Sequence, residues 1–156
     1  MRLGTLAWTG IKTMAMDLSY VVTPFVAWFV AGASKFIINS VHARKLAFEL
    51  IGYGGLPSNH SAIVSSVAAL VAIKHGIEHP AFGVALGLAF IVVLDAASLR
   101  RQVGKHAALL NRLHRSFPES APLRERMGHS RVEIGAGVLV GIAVALLISR
   151  LIYPAA

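Results

Sequence analysis

Apolar residues gather in four runs, Leu18–Ser34, Ser61–Ile73, Ala81–Ala97 and Val132–Ile152, and the stretches between them hold most of the charge. None of the runs alternates polar and apolar positions as a half-buried strand would, so all four read as helices. A helix needs about 20 residues to cross the hydrocarbon core of a bilayer. The pattern predicts an all-α integral membrane bundle with about four transmembrane helices. The second run is the shortest and carries Ser61, Ser65 and Ser66, which suits an interior helix better than a lipid-facing one. Lys35–Gly55 mixes Lys35, Arg44, Lys45 and Glu49 with apolar residues, as an interfacial amphipathic helix does. Lys74–Pro80 reads as a tight turn, Ser98–Ser116 as a basic helix, and Phe117–Gly128, with Pro118 and Pro122, as a loop. Residues 1–156 read as a single domain.

Two GxxxG patterns, Gly83–Gly87 and Gly137–Gly141, allow helices to approach closely. Packing within the chain and a homodimer seam are both open readings of each.

Composition agrees with a membrane assignment. Of 156 residues, 56% are hydrophobic and only 14% charged, against about 25% charged in soluble domains. Mean hydropathy is +0.67. There is no cysteine, which removes thiol nucleophiles, disulfides and Cys-based metal sites. No HExxH, P-loop, GxGxxG or GxSxG motif occurs, and no metal or cofactor is expected. The start of the chain, with Lys12 and Asp17 breaking a weak apolar stretch, does not read as a cleaved signal. The formal charge of +8 reflects loop topology and anionic headgroups; without an aromatic-interleaved basic patch it does not point to nucleic acid.

Following the crossings places the chemistry. If each run crosses, the stretches Lys35–His60, Ser98–His129 and the start of the last run share one face. That face carries Lys35, Arg44, Lys45, Arg100, Arg101, Lys105, Arg112, Arg115, Arg124, Arg126 and Arg131; the other carries Arg2, Lys12, Lys74 and Arg150. The positive-inside rule makes the richer face cytoplasmic.

Gly54–Ala62 puts a Gly-rich turn, Pro57, a capping Ser58, Asn59 and His60 just ahead of an apolar helix. Backbone N–H groups and the helix dipole make such a place hospitable to phosphate, and a His there can give a proton to a leaving oxygen. The bland alternative is a structural N-cap with an incidental His. His129 and Glu133 stand at i and i+4, so the carboxylate can fix the imidazole tautomer and support its cation. Their bland alternative is a helix-start capping pair. Arg100 and Arg101 suit bidentate contact with phosphate oxygens, with Asp95 to pair with and orient one of them, or to pair with Lys35 or His106. Lys35 is either a further phosphate ligand or a snorkelling anchor.

Three segments in order, Gly54–Ala62, Asp95–Gly104 with Ala107 and Asn111, and Gly128-His129 with Glu133, resemble the divergent branch of the type 2 phosphatidic acid phosphatase superfamily, related to the vanadium haloperoxidases. The likeness is to that branch's GGMPSSHSA, DAxxxRRxxG and GHxxxE motifs and covers about four-fifths of the chain, from Lys35 onward. Leu56 and Asn59 depart from the branch's first motif. Glu133 stands where classical members have Asp. The resemblance implies a metal-independent phosphatase. His129 would be the nucleophile that forms a phosphohistidine, Glu133 its support and His60 the general acid. Ser58, Asn59, Arg100, Arg101 and Lys35 would bind the phosphoryl oxygens. The expected substrate is a lipid phosphate, of the phosphatidylglycerophosphate, phosphatidic acid or polyprenyl phosphate type. The chain is expected in the cell membrane with its site on the cytoplasmic face. The alternative from another class is a non-catalytic membrane protein that binds anionic lipid or phosphate through the same basic face.

Overall fold

A computed structural model describes residues 17–46, 55–114 and 121–152, apart from the side chains of His114 and Ile152. Arg2, Lys12, Glu49, Gly54 and Arg115 fall outside those residues. The described chain is all-helical: α1 Ser19–Ala43, α2 Asn59–His75, α3 Pro80–Leu94, a π turn Asp95–Leu99, α4 Arg100–His114 and α5 Arg131–Ile152.

Three stretches are long and apolar enough to cross a membrane, Ser19–Ala43, Pro80–Leu113 and Arg131–Leu151. The fourth apolar run, α2, has 17 residues and sits inside the bundle, packed against α5, α1 and α3. Its buried side chains, Ser61, Ala62, Val64, Ser66, Ala68, Leu70 and Val71, point in every direction round the helix. The serines can afford this because each caps or bonds backward: Ser65 Oγ donates to the Ser61 carbonyl at 2.5 Å and Ser66 Oγ to that of Ile63 at 2.7 Å.

Helices α1 and α5 show the logic of a membrane protein, small residues inward and large ones outward. On α1 the buried positions are Ser19, Thr23, Ala27 and Ala31, one every fourth residue, while Phe25, Trp28 and Phe29 are exposed. Ala27, Ala31, Ala62 and Val144 form the core cluster. α1 does not end near Ser34. It continues through Lys35 to Ala43 and stops at Arg44, whose left-handed conformation (φ 50°) turns the chain. The first part of the expected interfacial segment is therefore the last turns of α1.

The two GxxxG patterns part company. A Cβ on Gly137 would run into the Ser58 carbonyl and Ser61 Cβ, and one on Gly141 into Ser65 Oγ and the Ala62 carbonyl. That pair lets α5 close on α2. Gly83 and Gly87 have nothing near them, so intrachain packing accounts for one pair only.

The far end of the bundle is pinned by Lys74, which pairs with Asp17 at 2.6 Å and lies 4.7 Å over the Tyr20 ring. Tyr20 OH in turn meets His75 Nε2 at 2.5 Å. α2 therefore runs the depth of the bundle, from this pin to the opposite, polar end.

The glycine seam makes a prediction. Gly141→Leu should lower the midpoint of unfolding in detergent, at a cost of about 3 kcal/mol or more, the scale of a forced overpacking at a backbone contact. Gly87→Leu should leave it unchanged. Circular-dichroism melts of the two variants beside wild type test both.

Candidate functional site

Four helix ends meet at the polar end. Ser58, the N-cap of α2, is extended (φ −72°, ψ 119°) and fully buried; its Oγ accepts from Ser61 N–H at 3.4 Å and from the Ser61 hydroxyl at 3.1 Å. Its hydroxyl thus serves the helix. Its own N–H donates to the Glu133 carbonyl at 2.8 Å and ties the first motif to α5. Gly55, at φ +138°, turns the chain against Lys35 and Asn39 of α1.

At the start of α5, Ser130 and Glu133 form a capping box. Ser130 Oγ accepts Glu133 N–H at 3.2 Å, and Glu133 Oε2 accepts Ser130 N–H at 3.0 Å. The same Oε2 accepts from His129 Nδ1 at 2.9 Å. A carboxylate there holds the proton on Nδ1 and leaves Nε2 with its lone pair. His129 itself is buried.

The π turn fixes the His129 backbone. In it, Arg100 N–H reaches back to the Asp95 carbonyl instead of that of Ala96. The Ala96 carbonyl so released accepts His129 N–H at 3.0 Å. On the other side, Arg101 Nη2 donates to the His129 carbonyl at 3.3 Å. Gly128, at φ +88°, lies against the Arg101 backbone, where a Cβ would come within 3.1 Å of its nitrogen. Only glycine suits both the dihedral and the approach.

The His60 and His129 rings stand 6.0 Å apart, tilted by 56°. Burial pushes the His60 pKa down, and the positive fields of Arg100, His129 and Lys35 push it further, against the opposing pull of Asp95. Among the described residues the Nδ1 of His60 and the Oδ1 of Asn59 are buried without a hydrogen-bond partner, as is the Oγ1 of Thr23. An unmade bond of that kind costs about 1–3 kcal/mol. Arg100 Nε pairs with Asp95 Oδ2 at 3.3 Å, both side chains partly exposed. Lys35 lies within electrostatic reach of both His60 and Glu133.

Of the residues singled out in the sequence, His60, His129, Glu133, Asp95, Arg100 and Lys35 converge. Ser58 and Arg101 adjoin them but are engaged, one as a cap and one on a carbonyl. Asn59 turns its amide nitrogen toward Gly32 of α1. His75 and His79 lie at the far end, their rings 4.9 Å apart. The Ala96 carbonyl was not foreseen, since a π turn has no reliable mark in sequence. Ser130 could have been: S-x-x-E before an apolar run is a capping signal. Among the described residues no group of three or more His, Cys, Asp or Glu side chains is placed to hold a metal ion.

The pattern that defines the Divergent PAP2 family matches residues 16–144, a range that contains every one of these groups. The chain belongs to the Divergent PAP2 family. It is 31% identical over 145 residues to Uncharacterized membrane protein YuiD of Bacillus subtilis (strain 168), a match that covers 82% of this chain and 92% of that protein. No solved structure matches it. In this Divergent PAP2 protein the matched range takes in all the helix ends that meet at the polar end.

The His60 environment fixes the direction of a titration. Folding lowers its pKa, so the folded state binds fewer protons than the unfolded chain below about pH 6.5. The stability it contributes is complete above about pH 6.5 and is lost as pH falls through that value. NMR titration of ¹³C-labelled histidine should find His60 protonating below free histidine. Arg100→Ala should move it upward, toward the ordinary value.

Proposed function

We propose that this protein is an integral membrane phosphatase that hydrolyses a lipid phosphate, of the phosphatidylglycerophosphate, phosphatidic acid or polyprenyl phosphate type, through a phosphohistidine. The observation that carries this reading is His129, buried, with Nδ1 engaged by Glu133 and a second imidazole 6.0 Å away.

In this reading the phosphoryl group lies between the two rings. Its oxygens face Arg100, Lys35 and the N-terminal end of α2, with Asn59 as a further contact. Arg101 and Ser58 act from behind, through the His129 carbonyl and the α2 cap. Nε2 of His129 attacks phosphorus, the bond to the lipid oxygen breaks, and His60 gives that oxygen its proton. Glu133 supports the positive charge that grows on His129. Water then attacks the phosphohistidine while His60 takes up its proton; the P–N bond breaks, and inorganic phosphate leaves. His60 is neutral in the empty site, and the charge of the arriving phosphate supplies the attraction that protonates it. Asp95 orients Arg100.

Positioned cations and a partly dry site are what phosphoryl transfer chiefly needs. The lipid tail remains among the exposed apolar side chains that face the bilayer. The basic residues at this end support a site on the cytoplasmic side of the cell membrane. The open Gly83–Gly87 face is free to pair two copies without touching the site.

The test is phosphate release by purified protein in detergent, with EDTA present, from a panel of lipid phosphates and prenyl diphosphates. Wild type should turn over, and His129→Ala should fall to background. Glu133→Gln should retain the fold and lose about 10²- to 10⁴-fold, as orienting carboxylates do. A folded wild type that binds inorganic phosphate yet releases none from any lipid would favour the non-catalytic reading instead.

A further inference from the structure

Residues 121–130, ahead of α5, hold no regular structure, yet from Leu123 to His129 they are fastened to one face of the preceding helix. Asn111 provides the first fastening. Its Oδ1 accepts Leu123 N–H at 2.8 Å, and its Nδ2 donates to the Leu123 carbonyl at 2.7 Å and to Glu125 Oε1 at 2.9 Å. One side-chain amide thus answers both polar groups of a backbone residue that belongs to no ladder. Two turns nearer the site, the Glu125 carbonyl occupies the place a Cβ on Gly104 would take. Then Gly128 presses on Arg101, and His129 N–H ends on Ala96.

The lengths agree. The helix rises about 22 Å from Ala96 to Asn111, and drawn-out chain from Leu123 to His129 reaches about 20 Å. Held at both ends across that span, the segment has its slack in one tight turn, where Met127 N–H donates to the Glu125 carbonyl at 3.0 Å. It behaves as a strap, and the position of its far clamp is felt at its near end, where the His129 backbone meets the π turn.

We propose that Asn111 and Gly104 are positioning residues for His129, acting through this strap. Neither touches a phosphate in the arrangement above; each sets where the His129 backbone sits. The kinetic part of this inference rests on the phosphatase reading, and the structural part does not.

The experiment uses the full chain in lipid nanodiscs and compares wild type, Asn111→Ala, Gly104→Val and, as a control on the same helix, Arg112→Ala. Two quantities are read: hydrogen exchange in peptides covering residues 121–130, and phosphate release from the same panel of lipid phosphates and prenyl diphosphates. Asn111→Ala and Gly104→Val should speed exchange in the strap about tenfold, while peptides of α1, α2 and α5 stay protected. Their kcat should fall about tenfold with KM within a factor of two, because the nucleophile is misplaced while the phosphate ligands remain. Arg112→Ala should change neither quantity. Should Asn111→Ala fail to fold, Asn111→Ser, too short to span the gap to Leu123, takes its place. Unchanged exchange in the strap overturns the proposal, and so does a loss of protection shared by every helix. Faster strap exchange beside a wild type with no turnover overturns the phosphatase reading and leaves the strap standing.

Discussion

Helices α2 and α5 come close because α5 presents Gly137 and Gly141 to Ser58, Ser61, Ala62 and Ser65. In a bilayer, lipid tails are as apolar as leucine, so helices gain little by hiding apolar surface from them; they gain by dispersion contact and hydrogen bonds. The glycines supply the first and the α2 serines the second. The hydrogen bond from Ser58 N–H to the Glu133 carbonyl then locks the register of the two helices. His60 and His129 face one another as a consequence, one in the first turn of α2 and the other just ahead of α5. A side chain at Gly137 would separate the motifs without altering either.

Several groups at the polar end serve twice. Glu133 completes a capping box and holds the His129 imidazole with the same oxygen. Arg101 lies under Gly128 and bonds the His129 carbonyl. The π turn continues a membrane-crossing helix and yields the carbonyl that anchors the His129 backbone. Such turns are common at functional places because an inserted residue frees one backbone group without breaking the helix. His60 and Asn59 are the opposite case, each with a buried polar atom that nothing in the described chain answers.

Much of this was legible in the residues. Apolar runs located the helices, and counting crossings put His60 and His129 at one end, because each crossing reverses the chain and nothing subtler is needed. The His129–Glu133 spacing foretold their bond, although His129 stands just ahead of α5 and the bond is made beside the Ser130–Glu133 cap rather than along a helical turn. The course of α1 past Ser34 was not legible: Lys35 looks like a boundary to hydropathy, yet it continues an unbroken helix toward the site. The π turn was hidden because it depends on where the His129 backbone must dock, a tertiary demand. Asn111 was quoted as part of a motif, but a side-chain clasp on a distant backbone leaves no periodicity to read. The same turn brings Arg100 to Asp95 and Arg101 to the His129 carbonyl, a division of the two arginines that their adjacency in the sequence does not reveal.

The enclosure of α2 has a bearing on how the protein is made. Its 17 residues are the least suited of the four runs to stand alone in lipid, with serines that need neighbours and a length short of a full crossing. The neighbour it touches most extensively is α5, which follows it by more than fifty residues in the chain. During synthesis α2 must therefore wait, sheltered by α1 or by the insertion machinery, until α5 arrives to receive it. The two histidines come together only at that step, so an unfinished chain carries both motifs and no assembled centre.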